Sequence, residues 1–115
     1  MGNKDRYYSV MPTDRDTCYL CGCSLKNGYR HFHHCIHGTA NRQIADREGL
    51  GVYLCPPCHK HSKHAVHSDK SVDMMLEREA QDVWETKYII EHDCTREEAR
   101  NAFRELFGKS YIWED

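Results

Sequence analysis

A chain of 115 residues, 39% hydrophobic and 30% charged, has the make-up of one water-soluble domain with a thin core. It contains no apolar run long enough to span a bilayer and no leader-like stretch at its start, which argues against a membrane protein and for a reducing, intracellular (cytoplasmic) setting. The formal net charge of −2 hides an asymmetry: residues 1–70 carry ten Lys/Arg against six Asp/Glu, and residues 71–115 carry six against twelve. A basic front half suits contact with nucleic acid, and an acidic back half suits a solvated helical remainder.

Taken in chain order, residues 1–16 read as a loosely attached polar arm, with ordered structure expected from Thr17. From Cys18 to Gly28 the chain is punctuated by Gly and ends in Asn27-Gly28, the composition of a tight knuckle closed by a turn. A short strand is expected over 29–36. A loop with Gly38, Thr39 and Asn41 then leads into a polar stretch, Arg42 to Glu48, that reads as a single helical turn. Val52-Tyr53-Leu54 is β-prone and runs into Cys55-Pro56-Pro57-Cys58, where the prolines must end the strand. Over 71–92 the apolar residues Val72, Met75, Leu76, Ala80, Val83, Trp84 and Tyr88 fall on one helical face. Thr95-Arg96-Glu97-Glu98 has the form of a capping box, and a second apolar stripe from Ala99 to Phe107 stops at Gly108. The expected architecture is α+β: a core over 17–70 followed by a helical extension over 71–115. Its two amphipathic helices could dock on that core or pair with a second copy of the chain in a homodimer.

Seven Cys and nine His are a heavy load for this length. In a reducing compartment, Cys pairs at two-residue spacing are metal ligands more often than disulfides. Cys18/Cys21 and Cys55/Cys58, separated by 33 residues, match a tetrahedral four-thiolate zinc site. Cys23 could replace Cys21 in that set, whereas Cys35 and Cys94 read as packed thiols. Between the pairs lies His31-Phe32-His33-His34, and His59 follows the last Cys directly. A metal tying the pairs together would draw strand, loop and strand into a hairpin on which His33, His34 and His59 converge. His31, His61, His64 and His92 read as surface side chains, and Trp84, Tyr88 and Phe103 as core.

This arrangement, over residues 18–67, resembles the HNH (ββα-metal, His-Me finger) nucleases that carry a four-cysteine zinc site, including phage Holliday-junction resolvases of the endonuclease-seven type. The string His33-His34-Cys35-Ile36-His37-Gly38-Thr39-Ala40-Asn41-Arg42, with Val66-His67 downstream, is similar to small HNH-like proteins of phages and prophages. The resemblance implies a zinc-stapled ββα-metal core followed by two C-terminal α-helices. It makes His33 a ligand of a catalytic metal, His34 the general base and His59 a second ligand. For the third ligand it favours His67, with His37, His61 and His64 as alternatives.

The superfamily's central Asn usually sits just before the second strand, where this chain has Gly49-Leu50-Gly51. Asn41 is the nearest candidate, either orienting the His34 region or holding a turn. The expected catalytic ion is Mg²⁺ or Mn²⁺, with Ni²⁺ and Zn²⁺ as alternatives for a His-rich set. Arg42, Arg47, Lys60 and Lys63 flank the centre and could neutralise phosphates. The implied activity is metal-dependent hydrolysis of DNA phosphodiester bonds, with branched or structured DNA among the candidate substrates. The alternative is a catalytically inactive zinc module, of phage origin, that binds nucleic acid or a host protein.

Overall fold

The computed structural model describes residues 8–26, 28–62 and 65–112. Asn27, Lys63, His64 and the side chain of His61 lie outside the described residues, so the expectations placed on them have no structural counterpart. The protein is a small α+β molecule in the order β1 (His31–His34), α1 (Thr39–Glu48), β2 (Gly51–Leu54), one π-helical turn (Pro57–His61), α2 (Lys70–His92) and α3 (Arg96–Phe107). β1 and β2 pair antiparallel, with His33 opposite Val52 and His34 opposite Gly51. Alternation along a strand puts His31 and His33 on one face and Phe32 and His34 on the other. Gly51 is required beside His34, because a Cβ there would stand 2.5 Å from the Phe32 ring.

Residues 8–17, in the stretch expected to be a loose arm, are held against β2, while residues 1–7 lie outside the described residues. Ser9 Oγ donates to Gly51 O at 2.6 Å, Val10 N to Gly49 O at 2.8 Å, and Thr13 Oγ1 accepts from Tyr53 N at 3.1 Å. These contacts satisfy polar groups along β2 that a two-stranded sheet would otherwise leave open. Met11, beside them, is buried against Cys35, its Sδ 3.8 Å from the thiol.

A full ten-residue helix, α1, stands where one turn was expected, starting at Thr39 and closed by Gly49 in the left-handed region. Its sequence is polar except around Ile44 and Ala45, so the periodic signal is faint. Tertiary contacts hold it: Asn41 Nδ2 donates to Phe107 O at 2.9 Å, and Trp84 Nε1 donates to Glu48 Oε1 at 2.9 Å. Most helix stability in proteins comes from such docking.

Asp69 caps α2 by accepting from Ser71 N at 3.0 Å, and the Thr95/Glu98 capping box of α3 is formed in both directions. The two helices bury Leu76, Ala80, Trp84, Phe103 and Phe107 between themselves and the core of their own chain. Among the described residues no helix is long and apolar enough to cross a membrane.

Candidate metal centres

The knuckle and the end of β2 bring four thiols together. Gly22, at φ +80°, lets the chain double back so that Gly22 N donates to Cys18 O and Cys18 N to Cys23 O, both at 2.9 Å. β2 ends at Leu54, and the π-helical turn that follows folds Cys58 back beside Cys55. As a result the Sγ atoms of Cys18, Cys21, Cys55 and Cys58 all lie within 4.8 Å of one another. The Cys21–Cys55 separation is 3.8 Å, the edge of a sulfur tetrahedron around an ion at about 2.3 Å.

Burial opposes ionisation of Cys18, but N–H groups of Cys21, Cys55 and Leu20 outweigh it and bring its thiol down to about 7. Burial and neighbouring thiols push Cys58 up, and burial pushes Cys55 up. Crowded thiols cannot all ionise by themselves; a cation held among them reverses that. The cluster can therefore hold a structural metal such as zinc. Cys23 is exposed, and hydrogen bonding with Cys21 pushes its thiol up to about 12; it lies beside the four rather than among them.

A second centre opens one residue further on. His59 stands on the π-helical turn, and the backbone bonds Val66 N to Cys58 O (2.8 Å) and His67 N to His59 O (3.3 Å) fold the next segment back over it. One nitrogen each from His33, His59 and His67 then lies within 4.8 Å of the other two, with His59 Nε2 and His67 Nε2 at 3.0 Å. That is the spacing of two adjacent ligands about 2.1 Å from one ion.

His33 is only 3% exposed, and its Nε2 is buried with no hydrogen-bond partner. Burial first, and then the neighbouring imidazoles, hold its pKa down to about 3, so the ring is neutral with a lone pair to offer. A buried acceptor without a donor costs free energy, and a bound cation removes that cost. These residues fit a divalent ion.

The cleft in front of this centre, about 510 Å³, is also lined by His34, His37, Arg42 and Lys60. His34 Nε2 is 3.2 Å from Asp46 Oδ1 on α1. Among the residues expected at the site, His33, His34, His59, His67, Arg42 and Lys60 share the cleft. Arg47 does not line it and pairs with Glu48 at 3.2 Å. Asn41 is engaged at the end of α3, and the polar group beside His34 is Asp46 instead.

Sequence reasoning missed Asp46, Asp73 and the involvement of His31, whose Nδ1 is 2.8 Å from His59 Nδ1. For His31 a signal existed: two residues before His33 in a strand, it must share that face. For Asp46 and Asp73 there was none, since Asp46 meets His34 and Asp73 meets His37 only through the docking of a helix. Compared with known protein families, characterised proteins and solved structures, the chain finds no match, and the reading of both centres rests on their own residues.

Proposed function

We propose that this protein is a metal-dependent endonuclease of the HNH, ββα-metal kind, acting on DNA. A zinc ion on Cys18, Cys21, Cys55 and Cys58 would staple the fold, and one catalytic divalent ion would sit on His33, His59 and His67. The observation that carries the reading is His33, its Nε2 buried and unpartnered, clustered with two further imidazoles in a cleft that also holds His34, Arg42 and Lys60.

When bound, the ion supplies Lewis-acid stabilisation of the charge that develops on the scissile phosphate and the departing 3′-oxygen. His34 is the base. With Nε2–H donated to Asp46, its Nδ1 keeps the lone pair that takes a proton from the attacking water. Asp46 fixes ring orientation and tautomer and stabilises the imidazolium that results. Arg42 and Lys60 neutralise phosphates at the rim and hold the backbone in register.

A supercoiled-plasmid nicking assay tests this. Wild type is expected to nick with Mg²⁺ or Mn²⁺, and His34→Ala to lose about 10²-fold or more in rate with its circular dichroism unchanged. Undiminished cutting by folded His34→Ala would remove the base assignment. A wild type that binds the ion but cuts no plasmid, branched DNA or RNA would replace the enzyme by the zinc module that binds without cutting.

A further inference from the structure

We propose that the cleft contains a second cation position, made by His33, His37 and Asp73, which competes with the three-histidine position for His33 and takes a harder ion. One ligand atom from each of these three residues lies within 4.8 Å of the other two, as in the set His33, His59 and His67. The position is assembled from three separate places in the chain. His33 comes from β1, His37 from the loop before α1, and Asp73 from the first turn of α2. His37 Nε2 and Asp73 Oδ1 are 2.6 Å apart, while the His33 and His37 ring centroids are 5.6 Å apart. A cation bound here would replace the hydrogen bond between His37 and Asp73.

His33, whose Nε2 is buried and without a hydrogen-bond partner, belongs to both sets, so a ligand at either position removes the same cost. His37 and Asp73 line the spaces that continue from the main cleft past Lys70, so an ion can enter from solvent.

Donor chemistry separates the two positions. Three imidazoles suit Zn²⁺ and Ni²⁺, whereas two imidazoles and a carboxylate suit Mn²⁺ or Fe²⁺. A neutral imidazole has one lone pair for a metal, because its other nitrogen carries the proton. His33 can therefore serve one position at a time, and the identity of the ion decides which. The inference rests on the cleft being a metal centre and does not depend on nuclease activity.

The test is equilibrium binding of Mn²⁺, followed by the electron paramagnetic resonance of the free ion, to protein whose four-cysteine site is loaded with zinc. The expected result is one Mn²⁺ per chain in wild type. Affinity is expected to be kept within about threefold in His59→Ala/His67→Ala and weakened about tenfold or more in His37→Ala/Asp73→Asn. One further equivalent of Zn²⁺ should displace the Mn²⁺ from wild type.

Wild-type Mn²⁺ affinity in folded His37→Ala/Asp73→Asn, or no Mn²⁺ binding by wild type, would overturn the position. Simultaneous uptake of Mn²⁺ and the added Zn²⁺ in the cleft would overturn the competition for His33. His37 and Asp73 are partly exposed, their side chains at 43% and 24%, so the double variant is expected to fold, with circular dichroism as the control. Nicking by wild type is read separately, and its failure leaves these binding outcomes intact.

Discussion

Glu85 lies fully buried on a helix whose apolar stripe gives no hint of a charge inside. Arg100 grips it through Nε at 2.9 Å and a second nitrogen at 3.0 Å, Gln81 Nε2 donates at 2.8 Å, and Arg96 reaches it at 3.2 Å. Burial by itself would raise the Glu85 pKa, but donors from Arg100, Gln81 and Arg96 outweigh it and hold the carboxyl below its ordinary 4.5. A depressed carboxyl stabilises the folded state above its unfolded pKa, and that stability is lost as pH falls through the folded value. Arg100→Ala leaves a buried carboxylate with its main partner removed and is expected to cost about 3 kcal/mol at pH 7 in urea melts. Because it raises the folded pKa of Glu85, its disadvantage against wild type should shrink as both are melted below pH 4.5. A loss under about 0.5 kcal/mol at pH 7 would show that the pair contributes no stability. Gln81 extends the network, donating to Ser110 Oγ at 2.9 Å and accepting from Tyr111 N at 2.6 Å, so one polar cluster ties α2 to the segment after α3.

At the level of elements, α3 follows from local chemistry. Thr95 Oγ1 accepts from Glu98 N at 3.1 Å, Glu98 Oε1 accepts from Thr95 N at 2.9 Å, and Gly108 closes the other end at φ +87°. Thr95→Ala is expected to cost about 1 kcal/mol in thermal unfolding, and Thr95→Ser almost nothing, since the serine hydroxyl accepts the same bond. Equal losses in both variants would show that the cap is not what the helix end needs. α1 is the opposite case. It lacks a side-chain cap, begins after Gly38, and has apolar weight only around Ile44 and Ala45. Its length depends on Asn41 meeting the end of α3 and on Glu48 meeting Trp84. That dependence also places Asp46 beside His34.

For the molecule as a whole, the four-cysteine cluster joins the knuckle, β2 and the turn that bears His59. Zinc ligation in small modules is worth on the order of 10 kcal/mol, comparable to the whole stability of a domain. Cys58→Ser, or a strong chelator, is therefore expected to abolish cooperative unfolding and lower the helical circular dichroism. Metal-stripped protein that keeps its melting temperature would remove the cluster from the list of what holds the fold. The Cys pairs, both strands, the long α2 stripe and the α3 capping box were legible in the sequence, because ligand spacing, strand alternation, helical period and caps are short-range patterns. His33, between the Cys pairs, and His59, directly after the second, could be named from their spacing relative to those pairs. The extent of α1, the anchoring of residues 8–16 on β2, the engagement of Asn41 by α3, and the contacts of Asp46 with His34 and of Asp73 with His37 were decided only by tertiary structure. Each depends on contacts between residues far apart in the chain, and no local pattern records which distant partner a polar side chain will find.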